Sequence, residues 1–244
     1  MQKTTMARLA FCAALCALAG CHGGPGQQFP VQPEMKPAPE TPIAEKKNEL
    51  GKQSWDPEWD QIVEKALPPE MLSASVARDV KPFCPRFIRM GEPDKRAFWA
   101  YFFQALAGAE AGLEPTEDVR HPAQDTKTRD TVTKRAMRSE GLLQLTFMDA
   151  ERYGCDFDWD KDKKLAEKDP AKTILMPGNN LECGVKILFN QLITQRKPLL
   201  SRSSYWSTLR PGGLSYRVFA QQMTNVPAVC REDPTLRVTA AARK

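Results

Sequence analysis

The chain has 244 residues, of which 41% are hydrophobic and 27% are charged, and its formal charge is +5 at pH 7. Lys3 and Arg8 supply part of that charge from the N-terminal leader, and the other basic residues are interspersed with acids, so no basic surface of the nucleic-acid-binding kind is predicted. The composition is that of a globular protein, and no segment after the leader is apolar for long enough to cross a bilayer.

The first 20 residues read as an export signal. Lys3 and Arg8 precede a short apolar run that ends in small residues before Cys21, and this order is typical of a secretory leader. The leader resembles a bacterial lipoprotein signal, which implies cleavage after residue 20 and a lipid on Cys21. An ordinary cleaved signal peptide is the alternative.

Residues 21–54 are rich in Pro and Gly and poor in large apolar residues, so we predict a tether without a packed core. Residues 55–244 are then one domain with one core. We expect an exported, monomeric protein in the periplasm or cell envelope, held at a membrane by its lipid anchor.

Four cysteines remain for the domain: Cys84, Cys155, Cys183 and Cys230. An even number of cysteines in an exported domain indicates two disulfides, for which three pairings are possible. We predict that Cys155 pairs with Cys183, and Cys84 with Cys230. Their wide spacing and the absence of a C-x-x-C motif argue against zinc, and we expect neither a metal nor a cofactor.

The pattern of apolar residues predicts a mainly α domain. Helix signals cover 57–66, 69–80, 93–110, 147–153, 180–196, 203–209 and 215–222. The polar stretch 118–139 predicts an exposed loop with a small hairpin. The expected architecture is a buried central helix beside a small β-hairpin or loop insertion.

The central helix carries the first candidate for chemistry. It is apolar on nearly every side and reaches Glu110 just before Gly112 and Pro115 end it. Partial loss of hydration favours the neutral form of such a carboxyl group and raises its pKa, as a general acid near neutral pH requires. The alternative is a glutamate that caps a loop or pairs with an arginine.

Three segments, in order, resemble the soluble lytic transglycosylase domain, a relative of goose-type lysozyme. Residues 109–115 resemble its A-x-E-S-G-F-x-P motif, residues 139–145 its A-x-G-L-M-Q-I motif, and residues 176–185 its D-P-x-x-N-I-x-x-G-x motif. Tyr205 lies about where the tyrosine of A-Y-N-x-G is expected. The resemblance covers about residues 99–210 and implies a lysozyme-like fold.

This resemblance implies cleavage of the β-1,4 bond from N-acetylmuramic acid to N-acetylglucosamine in peptidoglycan. Glu110 would be the acid and then the base, Tyr205 would hydrogen-bond Glu110, and Asn180 would have a structural role at a helix start. Gly141 would let the backbone approach the sugar. The substrate-binding set is Gly141, Leu142, Gln144, Tyr205 and Trp206.

Departures from the family motifs leave other functions open. Ala111 replaces the serine after the catalytic glutamate and Trp206 replaces the asparagine after the tyrosine, which suits a non-catalytic peptidoglycan-binding lipoprotein. The segment between Glu110 and Gln144 is also longer than in the family. Asp125 or Asp130 within it would be the second carboxylate of a lysozyme-type hydrolase, unless each is a solvated loop acid.

A second acidic segment, residues 156–162, surrounds Trp159. Its spacing resembles a calcium loop, but Lys161 stands where that loop needs glycine. Beside a sugar cleft, these acids and Trp159 would favour an amine-bearing, de-N-acetylated glycan. A solvated acidic loop is the alternative.

Overall fold

A computed structural model describes residues 54–120 and 129–231, and in these ranges it contains seven α-helices and one two-stranded antiparallel sheet. The helices are α1 (Pro57–Ala66), α2 (Ala74–Val80), α3 (Glu92–Ala111), α4 (Met148–Tyr153), α5 (Trp159–Asp162), α6 (Pro177–Phe189) and α7 (Leu214–Gln222). The strands are β1 (Asp118–Arg120) and β2 (Arg138–Glu140), with Val119 opposite Ser139. The predicted mainly α fold with a small hairpin is confirmed. No helix in these ranges combines the length and the apolar character needed to span a membrane.

The central helix is α3, and α1 and α7 pack against it. Its Phe and Trp side chains are fully buried and meet edge to face, with ring centroids 5.2 Å apart for Trp99 and Phe102 and again for Phe102 and Phe219 of α7. The indole nitrogen of Trp99 donates to the carbonyl oxygen of Met71 at 3.0 Å, which satisfies its one donor inside the core. The helix ends at Gly112, as predicted.

Two predicted helices are only partly helical. The helix expected over 69–80 is interrupted at Ser73, whose hydroxyl donates to the carbonyl oxygen of Glu70 at 2.7 Å, so a 3₁₀ turn precedes α2. The helix expected over 203–209 is a single 3₁₀ turn, Ser207–Leu209. The guanidinium of Arg210 donates to the carbonyl oxygen of Ser204 at 2.9 Å, so this carbonyl is satisfied without a helix.

Both predicted disulfides are confirmed. Cys155, just after α4, pairs with Cys183 on α6, and Cys84, before α3, pairs with Cys230 near the end of the described chain. All four residues are buried. The bond between Cys84 and Cys230 spans 146 positions of sequence, so it joins the segment before α3 covalently to the segment after α7.

A tight turn after β2 is fixed to the start of α6 by Asn180, which is completely buried. Its Oδ1 accepts from the amide of Leu143 at 2.8 Å, and its Nδ2 donates to the carbonyl oxygens of Glu140 at 3.2 Å and Ile174 at 2.9 Å. Three hydrogen bonds from one buried amide specify the position of the turn. Asn180 therefore has the structural role that we expected.

The same turn corrects two expected substrate contacts. Gly141 has a φ of +79°, and a Cβ at this position would lie 2.4 Å from Nδ2 of Asn180. The space beside Gly141 is thus filled by the protein, and glycine is required for packing rather than for the approach of a sugar. Leu142 is completely buried in the core, so its side chain cannot reach a ligand.

Replacing Gly141 by alanine should destabilise the fold more than replacing Gly154. Both glycines have positive φ, but a Cβ at Gly154 meets nothing within 4 Å. Gly154→Ala should cost about 1 kcal/mol, because the left-handed strain is partly offset by the lower entropy of the unfolded chain. Gly141→Ala should cost about 2 kcal/mol more through its collision with Asn180. Urea denaturation of both variants measures the difference, and equal losses would contradict it.

Candidate functional site

Four of the residues selected from the sequence line one cleft of about 630 Å³. They are Glu110 from the last turn of α3, Gln144 from the turn after β2, and Tyr205 and Trp206 from the segment before α7. Residues far apart in the chain therefore converge on one concavity, of a size typical of ligand sites. Gly141 and Leu142 are not among its described lining residues.

Glu110 is half-buried and faces the cleft from the end of α3. The hydroxyl of Thr208, a buried residue in the 3₁₀ turn before α7, donates a short hydrogen bond to its Oε1. This bond fixes the carboxyl group relative to the opposite wall. No feature of the sequence indicated Thr208, because its contact joins segments 98 positions apart.

Gln144 adopts an unusual backbone conformation at the edge of the cleft, with a φ of +51°. Its Nε2 donates to the carbonyl oxygen of Gly141 at 3.0 Å within the same turn. A non-glycine residue in the left-handed region costs on the order of 1 kcal/mol, and such strain concentrates at functional sites. The turn thus presents Gln144 to the cleft at an energetic cost.

Tyr205 donates its proton to Asp149. The distance from its hydroxyl oxygen to Oδ2 of Asp149 is 2.6 Å. Burial, followed by the charge and the hydrogen bond of Asp149, raises the pKa of Tyr205 far above its usual value, with smaller contributions from Tyr153 and Glu110. The hydroxyl has one proton, so towards Glu110 its oxygen can act only as an acceptor.

Asp149 is a second carboxylate in the cleft, and sequence analysis missed it. It is 1% exposed, and its Oδ2 also accepts from the amide of Thr146 at 2.8 Å and from the Thr146 hydroxyl at 3.1 Å. Burial raises its pKa, against the opposing effects of the bonds from Tyr205 and Thr146 and of the charge of Arg152. In sequence it is an ordinary acid in the first turn of a short helix, so only the fold reveals its position.

Trp206 supports the cleft more than it exposes a surface to it. It is 3% exposed, and its indole nitrogen donates to the carbonyl oxygen of Leu143 at 2.8 Å. Its ring packs edge-on against Tyr205, with the centroids 4.9 Å apart. Trp206 therefore fixes the position of Tyr205 relative to the turn after β2.

Asp130, one of the two expected second carboxylates, lies elsewhere. Its Oδ1 accepts from the backbone amides of Val132 and Thr133 at 2.8 and 2.9 Å, a local turn typical of aspartate. It lines a second pocket, separate from the cleft of Glu110. The structure thus contradicts a catalytic role for Asp130 beside Glu110, and Asp125 lies outside the described residues.

The acids of residues 156–162 are largely used within the protein. Asp158 caps α5 by accepting from the amide of Lys161 at 3.0 Å, and buried Asp162 accepts from the amide and hydroxyl of Thr173 at 2.8 and 2.7 Å. Trp159 lines the second pocket rather than the cleft. The segment therefore does not present an acidic and aromatic surface to Glu110, and it contains a short helix where a loop was expected.

Asp149 should make the fold less stable as the pH rises. Its folded-state pKa lies above the usual value of 3.8, so between those two pKa values the folded state binds more protons than the unfolded state. The contribution of Asp149 to stability is then greatest below about pH 4 and is lost as the pH rises through the raised pKa. Asp149→Asn should remove this contribution, so in denaturation experiments across this range the stability of the wild type should fall relative to that of the variant as the pH rises.

The matched control is Asp156→Asn, which changes an exposed aspartate. It should keep the pH dependence of the wild type. If both variants, or neither, changed the pH dependence of stability, the proposed effect of Asp149 would be contradicted.

The fold is similar to that of Bd0314 DslA, a Bdellovibrio protein, in three solved structures at 22% sequence identity. The wild-type form 2 has a TM-score of 0.56 and the alignment covers 74% of this chain and 95% of that chain. Two glutamate-to-glutamine mutants have TM-scores of 0.57 and 0.54, with 74% and 71% of this chain and 95% and 91% of theirs covered. No protein-family model matches the chain, and no curated protein matches it in sequence. At this identity, the likeness establishes a shared fold alone.

Proposed function

We propose that the protein is a lysozyme-like enzyme that cleaves the β-1,4 bond between N-acetylmuramic acid and N-acetylglucosamine in peptidoglycan, with Glu110 as its acid and base. The observation that carries this proposal is the convergence of Glu110, Gln144 and Tyr205 on one cleft. Glu110 and Gln144 come from segments that resemble transglycosylase motifs, and Tyr205 lies about where the family tyrosine is expected. A protein that only binds glycan has no need of a carboxyl group held there by a dedicated donor such as Thr208.

The proposed reaction is lytic transglycosylation, because it needs a single carboxyl group. Protonated Glu110 gives its proton to the glycosidic oxygen as the bond from that oxygen to C1 of muramic acid breaks. The resulting carboxylate then takes the proton of the C6 hydroxyl, whose oxygen bonds to C1 and closes a 1,6-anhydro ring. The Tyr205 oxygen, whose proton is held by Asp149, accepts from the protonated acid and so stabilises the form that begins the cycle.

Hydrolysis is the second candidate, because the cleft contains a second carboxylate. The hydrogen bonds that Asp149 accepts within the described residues all end on Oδ2, which leaves Oδ1 for a water molecule. Burial also raises the pKa of Asp149, and this makes it a stronger base than an ordinary aspartate. In this role Asp149 takes the place of Asp130 as the group that activates water, whereas the predicted role of Asp125 stays untested.

We also propose that the enzyme acts outside the cytoplasm, anchored by a lipid on Cys21. The two buried disulfides support this location, because such bonds persist in oxidising compartments. A lipid anchor and the tether over residues 21–54 would hold the enzyme at a membrane while it reaches an insoluble wall.

Glu110→Gln should abolish digestion of purified sacculi. Glutamine keeps the shape of the side chain but has no proton to transfer, so the rate of release of soluble products should fall by about a thousandfold. The control is Glu182→Gln, which alters an exposed glutamate on α6 and should leave the rate unchanged. No release by the wild type would leave only the binding protein, and retained release by Glu110→Gln would refute the role of Glu110.

The products separate the two reactions. Anhydro-muropeptides indicate transglycosylation, whereas products heavier by one water indicate hydrolysis. If water is the nucleophile, Asp149→Asn should reduce the heavier products by about a hundredfold or more. Under transglycosylation, the same variant should instead shift the acidic limb of the pH profile of kcat, because Tyr205 would lose its anionic partner.

A further inference from the structure

The second pocket has a volume of about 450 Å³ and combines an apolar interior with a basic mouth. Phe147 and Trp159 form one wall, with ring centroids 5.1 Å apart, and Leu165 contributes to the interior. The guanidinium carbon of Arg135 lies 5.0 Å from the centre of the Trp159 ring, close enough for a cation–π contact. Such a pocket suits a ligand with both aliphatic and anionic parts.

Two arginines at this pocket converge on one carboxylate oxygen. Arg120 on β1 and Arg138 on β2 both donate to Oε1 of Glu167, the latter at 2.8 Å. Arg138 is itself fixed by Asp118, whose side chain is only 1% exposed and which accepts from Nε of Arg138 at 2.9 Å. Arg138 is therefore held in place, and together with the exposed Arg120 it forms an arrangement that binds a carboxylate.

The carboxylate of Glu167 can be displaced from Arg120 and Arg138. The Glu167 side chain is 58% exposed, and an exposed ion pair contributes little to stability because water and salt screen it. The bond from Arg138, followed by its charge, lowers the pKa of Glu167, so the carboxylate is ionised at neutral pH. A carboxylate from a ligand can replace it at the arginines with little loss to the fold.

The other acids of the pocket are neutralised or hydrogen-bonded. Buried Glu140 forms an ion pair with Lys172, whose ammonium group also lies 5.9 Å from the centre of the Phe147 ring. The Oδ1 of Asp130 is bonded by two backbone amides, and Asp162 is bonded by residues 173 and 174. An anionic ligand thus meets the arginines without an unsatisfied carboxylate opposite them.

Met137 lines both pockets, and the two-stranded sheet separates them, because Val119 and Ser139 line the cleft whereas Arg120 and Arg138 line the second pocket. A peptide attached to a sugar in the cleft would therefore reach the second pocket by passing the hairpin at Met137. Peptidoglycan offers such a ligand, since each muramic acid carries a short peptide with aliphatic side chains and free carboxylates. We propose that the second pocket binds this acidic stem peptide, with its carboxylate taking the place of Glu167 between Arg120 and Arg138. This proposal rests on the proposed function.

The test compares uncrosslinked peptidoglycan strands with the same strands stripped of their peptides by an amidase. The wild type should have the higher kcat/KM on the strands that carry peptides. Arg120→Ala, at a residue whose side chain is 68% exposed, should reduce that value about tenfold by removing a charge-assisted hydrogen bond. The same substitution should leave kcat/KM on the stripped strands unchanged.

Glu167→Gln should have the opposite effect, because a neutral glutamine competes with the ligand for the two arginines less strongly than the Glu167 carboxylate does. Its kcat/KM on strands with peptides should rise severalfold, and on stripped strands it should not change. Arg217→Ala, at an exposed arginine on α7, is the matched control and should alter neither value. Equal effects of Arg120→Ala on both substrates, or no effect on either, would overturn the proposal.

A direct binding measurement separates this proposal from the proposed function. Calorimetry of the full chain with a synthetic L-alanyl-γ-D-glutamyl peptide should show binding that Arg120→Ala weakens about tenfold. If the wild type cleaves neither kind of strand, the enzyme proposal fails while peptide binding still supports the pocket. No binding by the wild type, or equal binding by the variant, overturns the pocket whatever the activity.

Discussion

The three hydrogen bonds of Asn180 are the constraint on which the cleft depends. They hold the turn after β2 against α6 and the segment that precedes it. That turn carries Gln144, and its Leu143 carbonyl accepts the indole proton of Trp206, which packs against Tyr205. One buried amide thus fixes, directly or through one further contact, the wall that faces Glu110.

Local sequence signals predicted the elements that bury apolar surface. Asp56 before Pro57 predicts the start of α1, where its side chain accepts from the amide of Glu58, and the continuous apolar run predicts α3. The segment resemblance correctly brought Glu110, Gln144, Tyr205 and Trp206 to one cleft. The resemblance also predicted that Gly141 and Leu142 contact the substrate, but both are packed inside the protein. The side chains of a tight turn point to the core or the surface without a simple period, so their directions could not be predicted from the sequence.

The contacts that tune the carboxylates were not predictable from the sequence. Asp149 is on a six-residue helix with acids and a basic residue, a composition normally solvated, yet it is buried and accepts a hydrogen bond from Tyr205, 56 positions away. Thr208 contacts Glu110 across a still longer separation. For Asp130 the sequence suggested a place in the cleft, whereas the side chain binds the amides of its own turn. An aspartate of either kind looks the same in the sequence.

The bond between Cys84 and Cys230 closes the chain into a covalent ring. Glu110, Gln144, Asp149 and Tyr205 all lie within that ring, while α1 and α2 lie outside it. A protease that makes one cut between the two cysteines opens the ring but separates no fragment from the rest. Cuts before residue 84 or after residue 230 remove chain without breaking the backbone that carries the cleft. The catalytic candidates therefore share one covalent frame, which a single cut does not separate.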